Sequence, residues 1–480
     1  MTNNVPSDHS DVTPESEKLN FSTKVAYGVG DMGPAMTANM LIFYLSPFLT
    51  DVAGLNPQLA GKTQLVGKVW DAVNDPCVGV LSDKTKSRWG RRYPWMILGG
   101  IPFGIFFFLQ WINPFSGNQW GMFWYYTIIS ILFNSFYTVV NVPYTALTPE
   151  LTQDYNERTR LNSFRFTFSI GGSILSVIIF GIIQSLPVFR NNPSQQYLVM
   201  GIVITIISVL PLYWCVWGTK ARVAAVSAQH PETEQPVSSP VLQQLRDVLR
   251  NRPFLYVVGI YLCSWLSVQL TAAIIPYFVR NCMGLGDPSA VVLVILAVQV
   301  TAIAMLPVWN RLSQKRGKKG VYFMGMSLWI IAQAGLFFLP SDQVALMYVL
   351  AVMAGFGVSI AYLIPWSMLP DVIELDELRT GQRREGIFYS FITFVQKVCL
   401  GIAVDLALSS LAWAKYVKPT EAIPLPEQPD AVLLAIRLFI GPVPTVALIC
   451  GLVLAYFYPL TREVHAEILL KLKERRSREA

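Results

Sequence analysis

Residues 197–218 read YLVMGIVITIISVLPLYWCVWG, 22 positions without an Asp, Glu, Lys or Arg. Wound as a helix at 1.5 Å per residue, this stretch covers about 33 Å, enough to cross the roughly 30 Å of a bilayer's hydrocarbon. Lipid offers a backbone no hydrogen-bond partners, so a crossing segment must satisfy its own N–H and C=O groups, as a helix does. Working outward, similar runs occur before it at 22–48, 60–82, 93–113, 119–146 and 162–187. Six more follow at 253–279, 288–310, 320–340, 343–369, 386–413 and 430–458. The expected fold is an all-α membrane protein of twelve spans in two six-helix halves, 22–218 and 253–458.

Composition agrees. Hydrophobic residues make up 53% of the 480 and charged ones 14%, against about 25% charged in a soluble domain. A soluble core would have to hide all twelve runs under too little polar surface. A polar tail (1–21), a central linker (219–252, with Pro231, Pro236 and Pro240) and a second tail (459–480) complete the chain. No apolar stretch precedes Phe21, so the first span is expected to serve for targeting as well.

The net charge of +7 does not point to nucleic acid, because the basic residues are spread over short loops. With the amino terminus inside, internal loops carry 20 Lys and Arg and external ones five. That asymmetry predicts cytoplasmic termini in the plasma (inner) membrane, with the lipid bilayer as the standing partner. Cys77, Cys215, Cys263, Cys282, Cys399 and Cys450 lie in or beside apolar runs without CxxC spacing, and read as reduced apolar residues. Gly61-Lys62-Thr63 fails as a phosphate loop because Asn56 stands where a glycine is needed. His9, His230 and His465 fall in the tails and linker, and no nucleophile, base and orienting acid can be assembled. Neither an enzyme nor a bound cofactor is expected, and uphill movement would have to draw on an ion gradient.

The halves echo one another. Leu81-Ser82-Asp83-Lys84 with Gly90-Arg91-Arg92 recurs as Leu312-Ser313-Gln314-Lys315 with Gly317-Lys318-Lys319. Pro143-Tyr144 with Pro149-Glu150 recurs as Pro365-Trp366 with Pro370-Asp371. Internal repeats of this kind are typical of secondary transporters.

An ionisable group in a span costs a few kcal/mol and therefore faces a water-filled cavity or a partner. In span 2, Lys68, Asp71 and Asp75 stand at i, i+3 and i+7, on one helix face. Two carboxylates a turn apart, with the Asn74 amide nearby, offer oxygen ligands for Na⁺ or an acceptor for a proton; Lys68 can balance them. Asp31 lies in a Gly/Pro-interrupted part of span 1, Arg165 near the start of span 5, and Lys397 and Asp405 eight apart in span 11. For Asp405, a structural partnership with Lys397 or Arg437 is weighed equally.

The chain resembles the glycoside-pentoside-hexuronide:cation symporters of the major facilitator superfamily over about Lys18 to Pro459. The marks are Tyr27-Gly28-Val29-Gly30-Asp31, Thr50-Asp51-Val52-Ala53-Gly54-Leu55, Trp70-Asp71-Ala72-Val73-Asn74-Asp75-Pro76, Ser87 to Arg92, Pro143 to Thr152, Glu157 to Arg160 and Asp371 to Gly386. The resemblance implies the major facilitator fold and a coupling cation at Asp71, Asp75 and Thr138, with Asn74 adjacent. Na⁺ is the expected ion, with H⁺ or Li⁺ as alternatives. It also implies that Arg165 and Lys397 serve substrate binding and coupling. Where melibiose-carrying members have sugar-binding aspartates and a tryptophan, this chain has Ala35, Asn141 and Thr145, which departs from a galactoside site. Val142 to Thr148 and Leu363 to Ile373, the latter containing Trp366, also resemble the family's vertebrate lysophosphatidylcholine branch.

These readings predict a monomeric cation-coupled symporter of a small molecule, a sugar or glycoside first and a lysolipid or other amphiphile second. A transporter-like sensor ranks third. Asp31, Lys68, Asn141, Thr145 and Trp366 join Arg165 and Lys397 as candidates for substrate contact. Asp83, Arg88, Arg91 and Arg92 are expected to hold the cytoplasmic helix ends and favour the outward-facing state.

Overall fold

The computed structural model describes residues 19–85, 87–152, 155–189, 192–229, 250–381, 385–420, 423, 425–460 and 462–479. Most of the first tail, linker residues 230–249, His9, His230 and residues 382–384 of the loop after span 10 lie outside them. Among the described residues there are helices and no strands.

Eight helices among the described residues are both long and apolar enough to cross a membrane. Twelve crossings arise because four runs depart from the simple pattern, each for a local reason. The helix Pro288–Phe338 has 51 residues and turns back at Gly317, whose φ of 78° and ψ of 156° suit a residue without Cβ; it holds spans 8 and 9. Span 1 is broken into Phe21–Val29 and Met32–Met40 around Gly30-Asp31, then continues through two π-helical turns, Leu41–Leu45 and Phe48–Val52. Span 2, Pro57–Lys84, is long enough but carries Lys62, Lys68, Asp71 and Asp75. Span 3, Tyr93–Leu109, is apolar but has 17 residues.

The remaining spans are Gln119–Thr145, Tyr155–Ser185, Pro193–Gln229, Arg252–Tyr277, Val344–Thr380, Glu385–Trp413 and the pair Asp430–Ile440 and Pro442–Phe457. Span 6 therefore runs eleven residues past Gly218, into the stretch expected as linker. A final helix, Arg462–Glu479, lies against span 10, with Ile468 and Leu472 buried.

Each half has its own packed interior. Phe48, Trp111, Tyr126 and Tyr197 interlock in the first, while Tyr322, Trp329 and Ile360 are buried in the second. Because lipid tails are as apolar as Leu, close packing and hydrogen bonds rather than water exclusion hold spans together. The halves meet where span 2 packs on span 11 and span 5 on span 8. Glycine permits the first contact: a Cβ on Gly61 would come within 2.9 Å of Asp405 Cα, and one on Gly401 within 3.1 Å of Lys68 Cβ. This close approach brings Lys397 beside Asp71 and Asp75.

The sequence echoes become equivalent ion networks at the end of the bundle that carries the final helix. In the first half Arg91 Nε lies 2.7 Å and Arg92 Nε 3.3 Å from Glu150 Oε1, and Arg92 also pairs with Asp83. In the second, Lys318 Nζ contacts both Asp371 oxygens at 2.7 Å. Gln314 stands where the first half has Asp83.

Candidate functional site

The site grows from one helix face. Asp71 and Asp75 are a turn apart on span 2, and span 4 lies alongside with Thr138 facing both. Its hydroxyl is 3.2 Å from Asp71 Oδ1 and 2.9 Å from Asp75 Oδ1. A hydroxyl has one proton, so it donates to one carboxylate at a time. From the other half, the Lys397 ammonium lies 2.9 Å from Asp71 Oδ1 and 2.6 Å from Asp75 Oδ2. Lys68 Nζ sits 3.6 Å from Asp71 Oδ2 and donates to Asn134 Oδ1 at 3.2 Å.

Two carboxylates and two ammonium groups thus form a charge-balanced cluster at mid-span. Asp71 is 2% exposed, so its charge is tolerable only because these partners surround it. The oxygens of Asp71, Asp75 and Thr138 form a hard donor set of the kind that takes a small cation, with Lys397 supplying the positive charge among them.

Above the cluster, away from the final helix, is a chamber of about 300 Å³. Span 1 and span 11 line one side with Leu41, Ile42, Leu45, Leu400 and Val404. Spans 2, 3, 4, 7 and 11 contribute amides, Gln64, Gln110, Asn134, Gln269 and Gln396. Past the chamber the halves are joined again: Arg280 Nη1 lies 3.0 Å from Asp51 Oδ2, Tyr416 donates to Asp51 Oδ1 at 3.1 Å, and the Thr50 and Tyr277 hydroxyls are 2.8 Å apart.

A charge-balanced cluster between two six-helix halves, facing a chamber in the middle of the bundle, is the build of a transporter. The family described as MFS/sugar transport protein matches residues 26–462. The chain belongs to that family. The transporter is 46% identical to an uncharacterised symporter of Synechocystis sp., over 96% of this chain and 98% of that one. It is 29% identical to the sodium-dependent lysophosphatidylcholine symporter 1-A of Danio rerio, over 93% of this chain and 87% of that one. In structure it is similar to the nucleoside transporter NupG, with a TM-score of 0.61, 11% identity, and coverage of 92% of this chain and 100% of that chain; this likeness shows the major facilitator fold alone. The protein is a multi-pass membrane transporter and not an enzyme.

Of the other sequence-predicted residues, Arg165 of the transporter lies away from the cluster. Its Nε donates to Asp31 Oδ2 at 3.2 Å, and its guanidinium sits 5.7 Å from the Tyr144 ring centre. Asn74 turns toward span 4 and donates to Ser135 O at 3.4 Å. Asn141 Oδ1 is buried without a partner, and Thr145 donates to Val142 O at 2.9 Å. Trp366 stacks on Tyr389 with ring centres 5.8 Å apart and meets Tyr261 edge-on. Asp83, Arg91 and Arg92 share the network above, whereas the Arg88 guanidinium lies 5.3 Å from the Trp89 ring. Asp405 pairs with neither Lys397 nor Arg437: it packs on Gly61 and accepts from Ser409 at 3.4 Å, while Arg437 donates to Phe337 O.

Sequence reasoning missed the Asp51–Arg280 contact, although Asp51 stood in a quoted motif: the π-helical ends of spans 1 and 7 echo each other, Phe48 with Gly54-Leu55 and Phe278 with Gly284-Leu285, but the echo does not say that the two ends meet. It also passed over Gln110 and Trp265 on the chamber wall, because a neutral amide and an indole in apolar runs look like ordinary span residues. His465 was read as a tail residue, yet its Nε2 is 2.6 Å from Glu374 Oε2.

Proposed function

We propose that the transporter is a cation-coupled symporter, with Na⁺ as the coupling ion, that carries an amphiphilic solute by alternating access. One observation carries the reading: the Lys397 ammonium from the second half bridges Asp71 and Asp75 of the first. Na⁺ entering between these carboxylates and the Thr138 hydroxyl takes over the charge Lys397 supplies, and the lysine is released. Protonation of one carboxylate would loosen the same bridge, which is how H⁺ would substitute. With Na⁺ added, the cluster carries one positive charge in surplus. A polar or anionic head drawn to Lys397 and Lys68 restores the balance, so cation and substrate favour one another.

The chamber supports the substrate class. Aliphatic side chains and amides share its lining, which suits a molecule with a polar head and an apolar body. Glycosides with an apolar aglycone and lysolipids both answer that description. Ala35, Asn141 and Thr145 are not among the chamber's lining residues. The loop charge asymmetry supports cytoplasmic termini in the plasma (inner) membrane, and the site is complete in a single chain.

Uptake of a panel of alkyl glycosides and lysophospholipids into proteoliposomes, with and without a Na⁺ gradient, tests this. At least one compound is expected to enter faster with Na⁺, and each ligand should raise the other's affinity by the same factor. Uptake indifferent to both Na⁺ and H⁺ gradients would defeat the reading.

A further inference from the structure

Two side chains on the chamber wall have polar atoms that no described residue satisfies. Gln110, 2% exposed at the end of span 3, leaves its Nε2 without a partner, although its backbone N–H is bonded to Phe107 O. Trp265 of span 7 leaves its indole Nε1 unpartnered. Both border the same chamber, one from each half. Of the other amides on that wall, Gln64 donates to Ser46 Oγ at 3.1 Å and Asn134 to Ser130 O at 2.7 Å.

A buried donor without an acceptor costs stability, and proteins seldom keep one without cause. Trp265 cannot turn to find a partner, because Tyr261 stacks on it at 5.8 Å and Tyr362 meets it edge-on at 5.1 Å. Its N–H has a fixed direction and can only donate. Gln110 offers both a donor and an acceptor, so it suits a hydroxyl in either role. Neither is charged, and the charges of the site are already committed around Lys68, Asp71, Asp75 and Lys397.

We infer that Gln110 and Trp265 form a neutral recognition subsite that takes uncharged oxygens of the substrate, hydroxyl, ether or ester, beyond its polar head. This rests on the transport reading above. The subsite selects substrates with oxygen functions on the segment joining head to apolar body, as in a glycerol or sugar unit, over simple head-and-tail molecules. Because its members come from opposite halves, the same contact holds the halves together around the correct substrate.

The test uses the full chain in lipid nanodiscs and two matched probe pairs. One pair is 1-acyl-lysophosphatidylcholine against an alkylphosphocholine of equal chain length; the other is an alkyl glucoside against its 2-deoxy counterpart. Wild type is expected to bind the oxygen-bearing member of at least one pair about tenfold more tightly, the discrimination a buried hydrogen bond supplies. Gln110→Leu and Trp265→Phe should each bring that ratio close to one without lowering the melting temperature of the unliganded protein. An unchanged ratio in both variants overturns the subsite, and so does a drop in melting temperature in both, since a structural role would then explain the residues. The Na⁺ response of wild type is read in parallel: its absence, or no response to any probe, sinks the transport reading and the subsite with it. A normal Na⁺ response with unaltered ratios sinks the subsite alone.

Discussion

The two ends of the bundle handle charge in opposite ways. At the end distant from the final helix, the ionic and hydroxyl contacts join one half to the other: Asp51 with Arg280 and Tyr416, Thr50 with Tyr277, and Lys418 with Gly54 O. At the end bearing the final helix, the arginine and lysine networks close within their own half, Arg91 and Arg92 on Glu150, Lys318 on Asp371. Between these levels, Lys397 crosses to Asp71 and Asp75. The difference teaches which state this is: among the described residues, the halves are latched at one end and at mid-span, and the networks named at the other close within each half. The alternating access proposed above would have to break the first set and could leave the second intact.

The sharpest way to break the comparison is at the bridge. Lys397→Met leaves buried Asp71 and part-exposed Asp75 without their shared cation; for Asp71 the loss approaches what breaking a buried pair brings, about 3 kcal/mol. Na⁺-driven uptake in proteoliposomes should fall more than about a hundredfold. Asp75→Asn should likewise abolish cation dependence while the protein still reaches the membrane folded. Retained Na⁺ dependence in both would remove the coupling role from this cluster.

Next comes the far latch. Asp51→Asn removes the charge that holds Arg280, and spin labels placed at the far ends of spans 1 and 7 should report a population with longer separations. The charge swap Asp51→Arg with Arg280→Asp should recover part of the closed population. An unchanged distance distribution in Asp51→Asn would mean that packing alone closes this end.

Smaller effects belong to the networks inside each half. Arg92→Ala should slow uptake several-fold and loosen the Glu150 contact without altering far-end distances. Equal disturbance at both ends would show that these networks are not confined to their halves. Smallest is a pH effect at Glu157, in the first turn of the span 5 helix and ahead of its membrane-crossing part, Arg160–Ser185. Burial pushes its carboxyl up, but the Lys24 ammonium at 2.8 Å, the Leu19 N–H and Arg160 more than offset this and hold it below the usual range. Its stabilisation is therefore present above the unfolded carboxyl pKa of about 4.3 and is lost as pH falls through the lower folded value. Limited proteolysis near Leu19 should accelerate only in that acid range, and Glu157→Gln should cleave at the faster rate at neutral pH.

The sequence by itself determined the twelve crossings, since run length against bilayer thickness and the absence of charge are local properties. Even the irregular spans were legible: Gly30-Asp31 breaks the first, charge marks the second, and Gly317 divides the long helix. Lys68, Asp71 and Asp75 were legible as one face because helical periodicity places i, i+3 and i+7 together. Lys397 was legible as a charge within span 11, but its coupling role, like Thr138 itself, came only through resemblance, since no periodicity relates residues on different helices.

Tertiary structure alone decided the partnerships. That Lys397 reaches both aspartates depends on Gly61 and Gly401 letting spans 2 and 11 approach. That Arg165 answers to Asp31, and that Asp405 answers to neither Lys397 nor Arg437, follows from which helix faces meet. Gln110 and Trp265 acquire meaning only from the chamber, because an unsatisfied donor is a property of surroundings and not of residue type. A sequence carries its own periodicities and solvation costs, but contacts between distant segments exist only once the helices are packed.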